Sequence, residues 1–94
     1  MRPILQGDLI MAARAVLPLA PSARFGAVRR MLEEAHCADR IRKRLGRSHP
    51  LWGNGALIDR AMRAPLYRGS LFGPEYLQAL ALVLAVIAEW RARV

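Results

Sequence analysis

The sequence predicts an all-α protein: a compact four-helix single domain over 1–94, with a tryptophan-bearing, glycine-rich loop between the second and third helices. Three observations carry this. Apolar residues recur every three or four positions rather than alternately. Glycine and proline fall where those stretches begin and end. A hydrophobic fraction of 54% against 23% charged residues is far too apolar for a disordered segment. At 94 residues the chain can fill one core and no more.

The first helix is expected to open at Asp8, whose carboxylate suits an N-terminal turn, and to bury Leu9, Ala13, Val16 and Leu17 before Pro18 and Pro21 stop it. Arg14 then faces the other way. The second helix, capped by Ser22, is expected to run to Leu45, with Gly46 as the residue that ends it and a basic last turn matching the helix dipole. A wheel at ~100° per residue puts Phe25, Val28, Met31, Leu32, Ala35 and Ala38 on one apolar face, with Asp39 and Arg42 inside it and His36 at its border.

Residues 47–55 hold Pro50, Gly53 and an Asn54-Gly55 turn signal, so they form a loop, with Trp52 as the anchor that folds it onto the core. A short third helix, capped by Asn54 or Gly55, carries Leu57, Ile58, Ala61 and Met62 on one side and ends before Pro65. Gly73-Pro74-Glu75 is a good helix opening, with proline at the first helical position, and the fourth helix runs to about Arg93. It has almost no polar face, so it should be covered on most sides. Its apolar run at 77–88 contains Gln78 and falls well short of the ~20 residues a membrane span needs.

The run Arg44-x-x-Arg47-x-His49-Pro50-x-Trp52-Gly53-Asn54-Gly55-x-Leu57, with Asp39-Arg40 before it and a Gly7-Asp8 opening, resembles a family of small uncharacterised proteins of alphaproteobacteria. That resemblance implies a compact helical fold. It brings no activity with it.

Fifteen basic residues face seven acidic ones, a formal net charge of +8. Such a surface attracts phosphates or acidic partners. Arg40, Lys43, Arg44 and Arg47 crowd the end of the second helix, with Arg29 and Arg30 upstream, and a basic stripe is the footprint of weak, sequence-independent nucleic-acid binding. Four-residue pairs dilute it: Arg29 with Glu33, Arg30 with Glu34 and Asp39 with Lys43. The loop that follows is also too long for a helix-turn-helix.

A second candidate is a polar pocket of His36, Asp39, Arg42 and Trp52, which reads first as a structural network and second as a small-ligand site. Asp39 should hold a basic partner, either Arg42 or an arginine of the Trp52 loop. Glu33-x-x-His36 has the spacing of di-iron bundles, but the second such motif is missing, so no metal and no cofactor is expected. Ser22, Ser48 and Ser70 all read as caps or turns, so no catalytic residues are assigned. Cys37, the only cysteine, lies opposite the apolar face and reads as incidental.

The function expected from these residues is a non-enzymatic, cytoplasmic protein-protein interaction module that self-associates, as a homodimer or with a partner. Its interface is expected on the fourth helix at Tyr76, Val83, Val86 and Trp90.

Overall fold

In a computed structural model that describes residues 2–93, the chain forms α1 (Gln6–Val16), α2 (Pro21–Leu45), α3 (Leu57–Ala61) and α4 (Pro74–Arg93). No strand occurs among the described residues. The four helices and their order match the sequence reading, while the helix starts differ in instructive ways.

α1 begins two residues before Asp8, because that carboxylate reaches backwards: its Oδ2 accepts the Leu5 N–H at 2.6 Å. α2 begins at Pro21 rather than at a Ser22 cap. The residue before it, Ala20, has no side chain to offer, and the proline ring itself presets the first helical φ. The C-terminal reading of α2 holds, since Gly46 adopts φ 73° and donates its N–H to the Arg42 carbonyl at 2.8 Å. α3 is capped by neither Asn54 nor Gly55. Asn54 instead accepts the Ala56 N–H on its side-chain oxygen, a turn within the loop, and the helix starts after Ala56.

One core draws on all four helices: Ala12, Ala13 and Val16 from α1, Val28 and Leu32 from α2, Leu57 and Ala61 from α3, Tyr76, Ala79, Val83 and Val86 from α4. The many alanines allow close approach of the backbones, and α1 lies against both α3 and α4. Phe25, expected on the buried face of α2, is 40% exposed at its end.

Two arginines hold connecting segments in place. Arg14 does not face solvent but donates from Nε to the Tyr67 carbonyl at 2.8 Å, while the Tyr67 N–H returns to the Arg14 carbonyl, also at 2.8 Å. Arg24 reaches from α2 to the Leu17 and Leu19 carbonyls at 2.8 and 3.1 Å, in the connection that follows α1.

The core-facing side of α4 overturns one expectation. Tyr76, Val83 and Val86 are 4%, 0% and 2% exposed, and Trp90 is partly buried, so the expected interface residues face inward. The helix is apolar all round, so its pattern does not say which side turns in. Neither is it covered on most sides, for Leu77 and Leu84 remain about half exposed, at 50% and 48%.

Candidate functional site

Two surfaces stand out: the basic end of α2 with the loop that follows, and the outer face of α4. The first is built on Asp39. This residue is 2% exposed and lies where the loop backbone docks on α2. Gly55, at φ 100°, sits so close that a Cβ there would fall 2.6 Å from the Asp39 Cα. The carboxylate pairs with Lys43 at 3.1 Å and with Arg2 at 3.8 Å. Burial alone would raise its pKa, and surrounding positive charge, the Lys43 ammonium foremost and the Arg2 guanidinium among it, more than offsets that, so the group titrates below its ordinary value.

Asp39 therefore holds the four-residue partner Lys43 that the sequence indicated, and its arginine is Arg2, not Arg42 or an arginine of the Trp52 loop. Arg42, expected inside the buried face, is exposed, and no described residue pairs with it. From Arg40 onward no residue of α2 is buried, since the last turns project beyond the elements that cover Asp39.

The expected cluster of His36, Asp39, Arg42 and Trp52 does not form as one pocket. His36 meets α4 instead, with its ring edge-on to Trp90 at 6.1 Å and 73°. Its Nδ1 is buried without a hydrogen-bond partner among the described residues. Desolvation, together with surrounding positive charge that includes Arg40 and Lys43, outweighs Asp39 and lowers its pKa. Trp52 stacks on His49 at 4.5 Å and 13°.

The loop is tightly organised. His49 Nδ1 accepts the Leu51 and Trp52 N–H groups, each at 3.0 Å, which fixes the tautomer with the proton off that nitrogen. His49 and Gly53 exchange backbone hydrogen bonds at 2.9 and 3.0 Å. Asp59 accepts the Asn54 N–H at 2.9 Å and Arg63 at 3.3 Å, and Arg63 also donates to the Pro50 carbonyl at 3.1 Å. At φ 88° Gly53 lies flat against Asp59, with no room for a Cβ. The outcome is a rigid projection with Leu51 at its tip, 71% exposed.

The ion pairs sort the charges. Arg29 spans Glu33 and Glu89, each at 3.5 Å, Arg93 reaches Glu89 at 2.9 Å, and Arg60 binds Glu34 at 2.7 Å. Glu34 thus takes its partner from α3 and not from Arg30. Among the described residues Arg40, Arg42, Arg44 and Arg47 have no ion pair. At the end of α2 and just beyond it, they amount to half of the net charge of +8. Cys37 is exposed beside them.

Among the described residues no group of His, Cys, Asp and Glu could hold a metal ion, and no helix is long and apolar enough to cross a membrane. The residue pattern marks 47–55 as a loop but not its internal bonding, because nothing in it shows that the His49 ring serves two backbone amides.

No curated protein and no solved structure matches the chain. A family model does match, over residues 2–87, a span that holds α1, α2, α3 and most of α4. The chain belongs to the family described as "Domain of unknown function (DUF7742)".

Proposed function

We propose that the protein is a non-enzymatic interaction module of the cytoplasm that self-associates through the outer face of α4. One observation carries the reading: Leu77 and Leu84 stand about half exposed, at 50% and 48%, on a face continued by exposed Ala81 and Ala88. From 77 to 88 the helix offers Gln78 as its sole polar side chain.

The spacing of Leu77, Ala81, Leu84 and Ala88 alternates four and three, the seam of a helix pair. It is self-complementary. A twofold axis midway between Ala81 and Leu84 sets Leu77 against Ala88 of the second copy, and Leu84 against Ala81 of the second copy, so large meets small at each level. The antiparallel arrangement also carries Arg91 toward the first turn of the other helix, where Glu75 lies, whereas a parallel one stacks Arg91 on Arg91. Leu71 and Phe72, 41% and 89% exposed just before the helix, extend the apolar surface.

An interface of standard size takes about 800 Å² from each partner. That is a large share of the total surface of 5837 Å², and one helix face is narrower, so the dimer belongs to the weak class. Sedimentation velocity tests it. Wild type should pass from monomer toward dimer between about 5 and 300 μM, and Leu84→Glu should stay monomeric with an unchanged far-ultraviolet spectrum. A wild type that remains monomeric at about 300 μM, or a Leu84→Glu variant that dimerises equally, overturns the reading.

A further inference from the structure

The projecting end of α2 combines uncompensated charge with hollows. Ile41 and Leu45 stand one turn apart and form an apolar ridge, with Leu45 58% exposed. A hollow of about 820 Å³ flanks the ridge on the side of His36, Cys37, Arg40 and Arg44. Another, of about 500 Å³, flanks it on the side of Arg47, His49 and Pro50. The first is lined along α2 from His36 to Leu45, roughly 14 Å of helix at ~1.5 Å per residue, so it suits an elongated occupant lying along the helix.

From Arg40 to Ile58 the sequence contains no acidic residue, and Arg40, Arg42, Arg44 and Arg47 have no ion pair among the described residues. We propose that this end of α2 docks an acidic amphipathic helix of a partner protein.

Each feature has a use in that complex. Leucines of the incoming helix straddle the ridge and enter the two hollows, as ridges enter grooves where helices pack. Carboxylates on its flanks reach the guanidinium groups, which match them with two parallel hydrogen bonds. A phosphate backbone would use the arginines and leave Ile41 and Leu45 without a role.

A second copy of this chain is a poor occupant. Its Glu33, Glu34, Asp39, Asp59 and Glu89 are engaged with cations and its Asp8 with backbone amides. That leaves Glu75, and no acidic helix face. The loop supplies a firm wall on one side, because His49 and Gly53 are bonded to one another across it.

The probe is a fluorescein-labelled synthetic 18-residue helix of the repeat Leu-Glu-Glu-Leu-Leu-Glu-Glu, read by fluorescence anisotropy. A scrambled peptide of equal composition and an 18-nucleotide single-stranded RNA are compared with it. At about 0.1 M salt the amphipathic peptide should bind at least ~10-fold more tightly than the scrambled one, and more weakly as salt rises to about 0.5 M. Arg44→Glu and Leu45→Asp, both at exposed positions, should each weaken it by about tenfold, while Leu84→Glu on the other surface leaves it unchanged. Equal binding of the scrambled peptide or the RNA overturns the proposal in favour of unselective anion binding. No binding at about 200 μM protein, or Leu45→Asp binding like wild type, overturns it as well.

Discussion

Asp8 joins two helices across fifty residues of sequence: its Oδ1 accepts the Ile58 N–H at 2.8 Å while its Oδ2 accepts the Leu5 N–H at 2.6 Å. The carboxylate, 4% exposed, serves the start of its own helix and the start of α3, whose preceding residue Ala56 provides no side-chain cap. A five-residue helix has little stability of its own, so α3 depends on this tether and on the burial of Leu57 and Ala61.

Removing the tether leaves two backbone donors without acceptors. Asp8→Ala should therefore destabilise the fold by about 2–4 kcal/mol, more than an exposed helix cap is worth. Asp8→Asn, which keeps one acceptor oxygen, should recover part of the loss. Urea denaturation of the three proteins measures both, and a loss in Asp8→Ala below about 1 kcal/mol would show that α3 is held by packing alone.

The glycines separate backbone conformation from close approach. Gly46 and Gly55 both have positive φ, at 73° and 100°, but a Cβ on Gly46 meets nothing within 4 Å while one on Gly55 runs into the Asp39 backbone. Gly46→Ala should cost about 1–2 kcal/mol, the left-handed penalty alone. Gly55→Ala should cost clearly more, because the loop must lift from α2 and expose the Asp39 carboxylate. Equal melting temperatures for the two variants would refute the close docking of loop on helix.

Much of this framework is readable from residues whose effect is local. Pro74 opens α4 and Gly46 closes α2 where the sequence places them, because a fixed φ and a missing Cβ act within one turn. Non-local choices are not readable in the same way. Glu34 has Arg30 four residues behind it and takes Arg60 of α3, since tertiary packing brings that guanidinium to a half-buried position. α4 carries no polar stripe, so nothing in its pattern tells Val83 and Val86 from Leu77 and Leu84. The contact with α1 and α2 decides it. The polar pocket failed for a related reason. His36 and Asp39 are neighbours on the helix wheel, yet they sit under different elements, α4 and the loop before α3.

His36 gives a pH dependence with a definite sign. Its pKa in the folded protein lies below the ordinary 6.5, so the unfolded chain takes up its proton first as the pH falls. Stability from this group is complete above pH 6.5 and is lost as the pH drops through the lowered folded value. The melting temperature should thus decline on acidification below neutrality. His36→Gln should flatten that decline. A His36→Gln profile parallel to wild type between about pH 7 and 5 would assign it elsewhere.

Asp39 acts at lower pH and costs less to remove than its burial suggests. Its pKa is held below the ordinary 3.8, so its contribution is present above that value and lost as the pH falls through the lower folded one. The partners Lys43 and Arg2 are 71% and 33% exposed and keep their water when the carboxylate goes. Asp39→Ala strands no buried charge, and the expected cost is that of a charged hydrogen bond, about 1.5–3 kcal/mol. Lys43→Met tests the other direction: it leaves the carboxylate buried with less compensation, so the pH at which the acid transition begins should move upward. An acid transition unchanged in Lys43→Met would show that Lys43 contributes nothing to holding the carboxylate ionised.

Two ion pairs of this fold differ in what surrounds them, and their coupling energies should differ accordingly. Arg60 and Glu34 join α3 to α2 at 2.7 Å with both side chains only about a fifth exposed, 20% and 19%. Arg29 and Glu33 lie four residues apart on α2 at 3.5 Å, with 37% and 55% exposure. In the first pair little water screens the charges and the geometry is fixed by two packed helices, so a double-mutant cycle to alanine should return about 1–2 kcal/mol. In the second, solvent screening and the entropy of two long side chains leave about 0.3–0.5 kcal/mol. Salt separates them further, because added sodium chloride screens the exposed pair and barely reaches the shielded one. If both cycles gave the same coupling and the same salt response, the bond between Glu34 and Arg60 would be an ordinary surface pair, and α3 would owe its position to Asp8 and to the burial of Leu57 and Ala61.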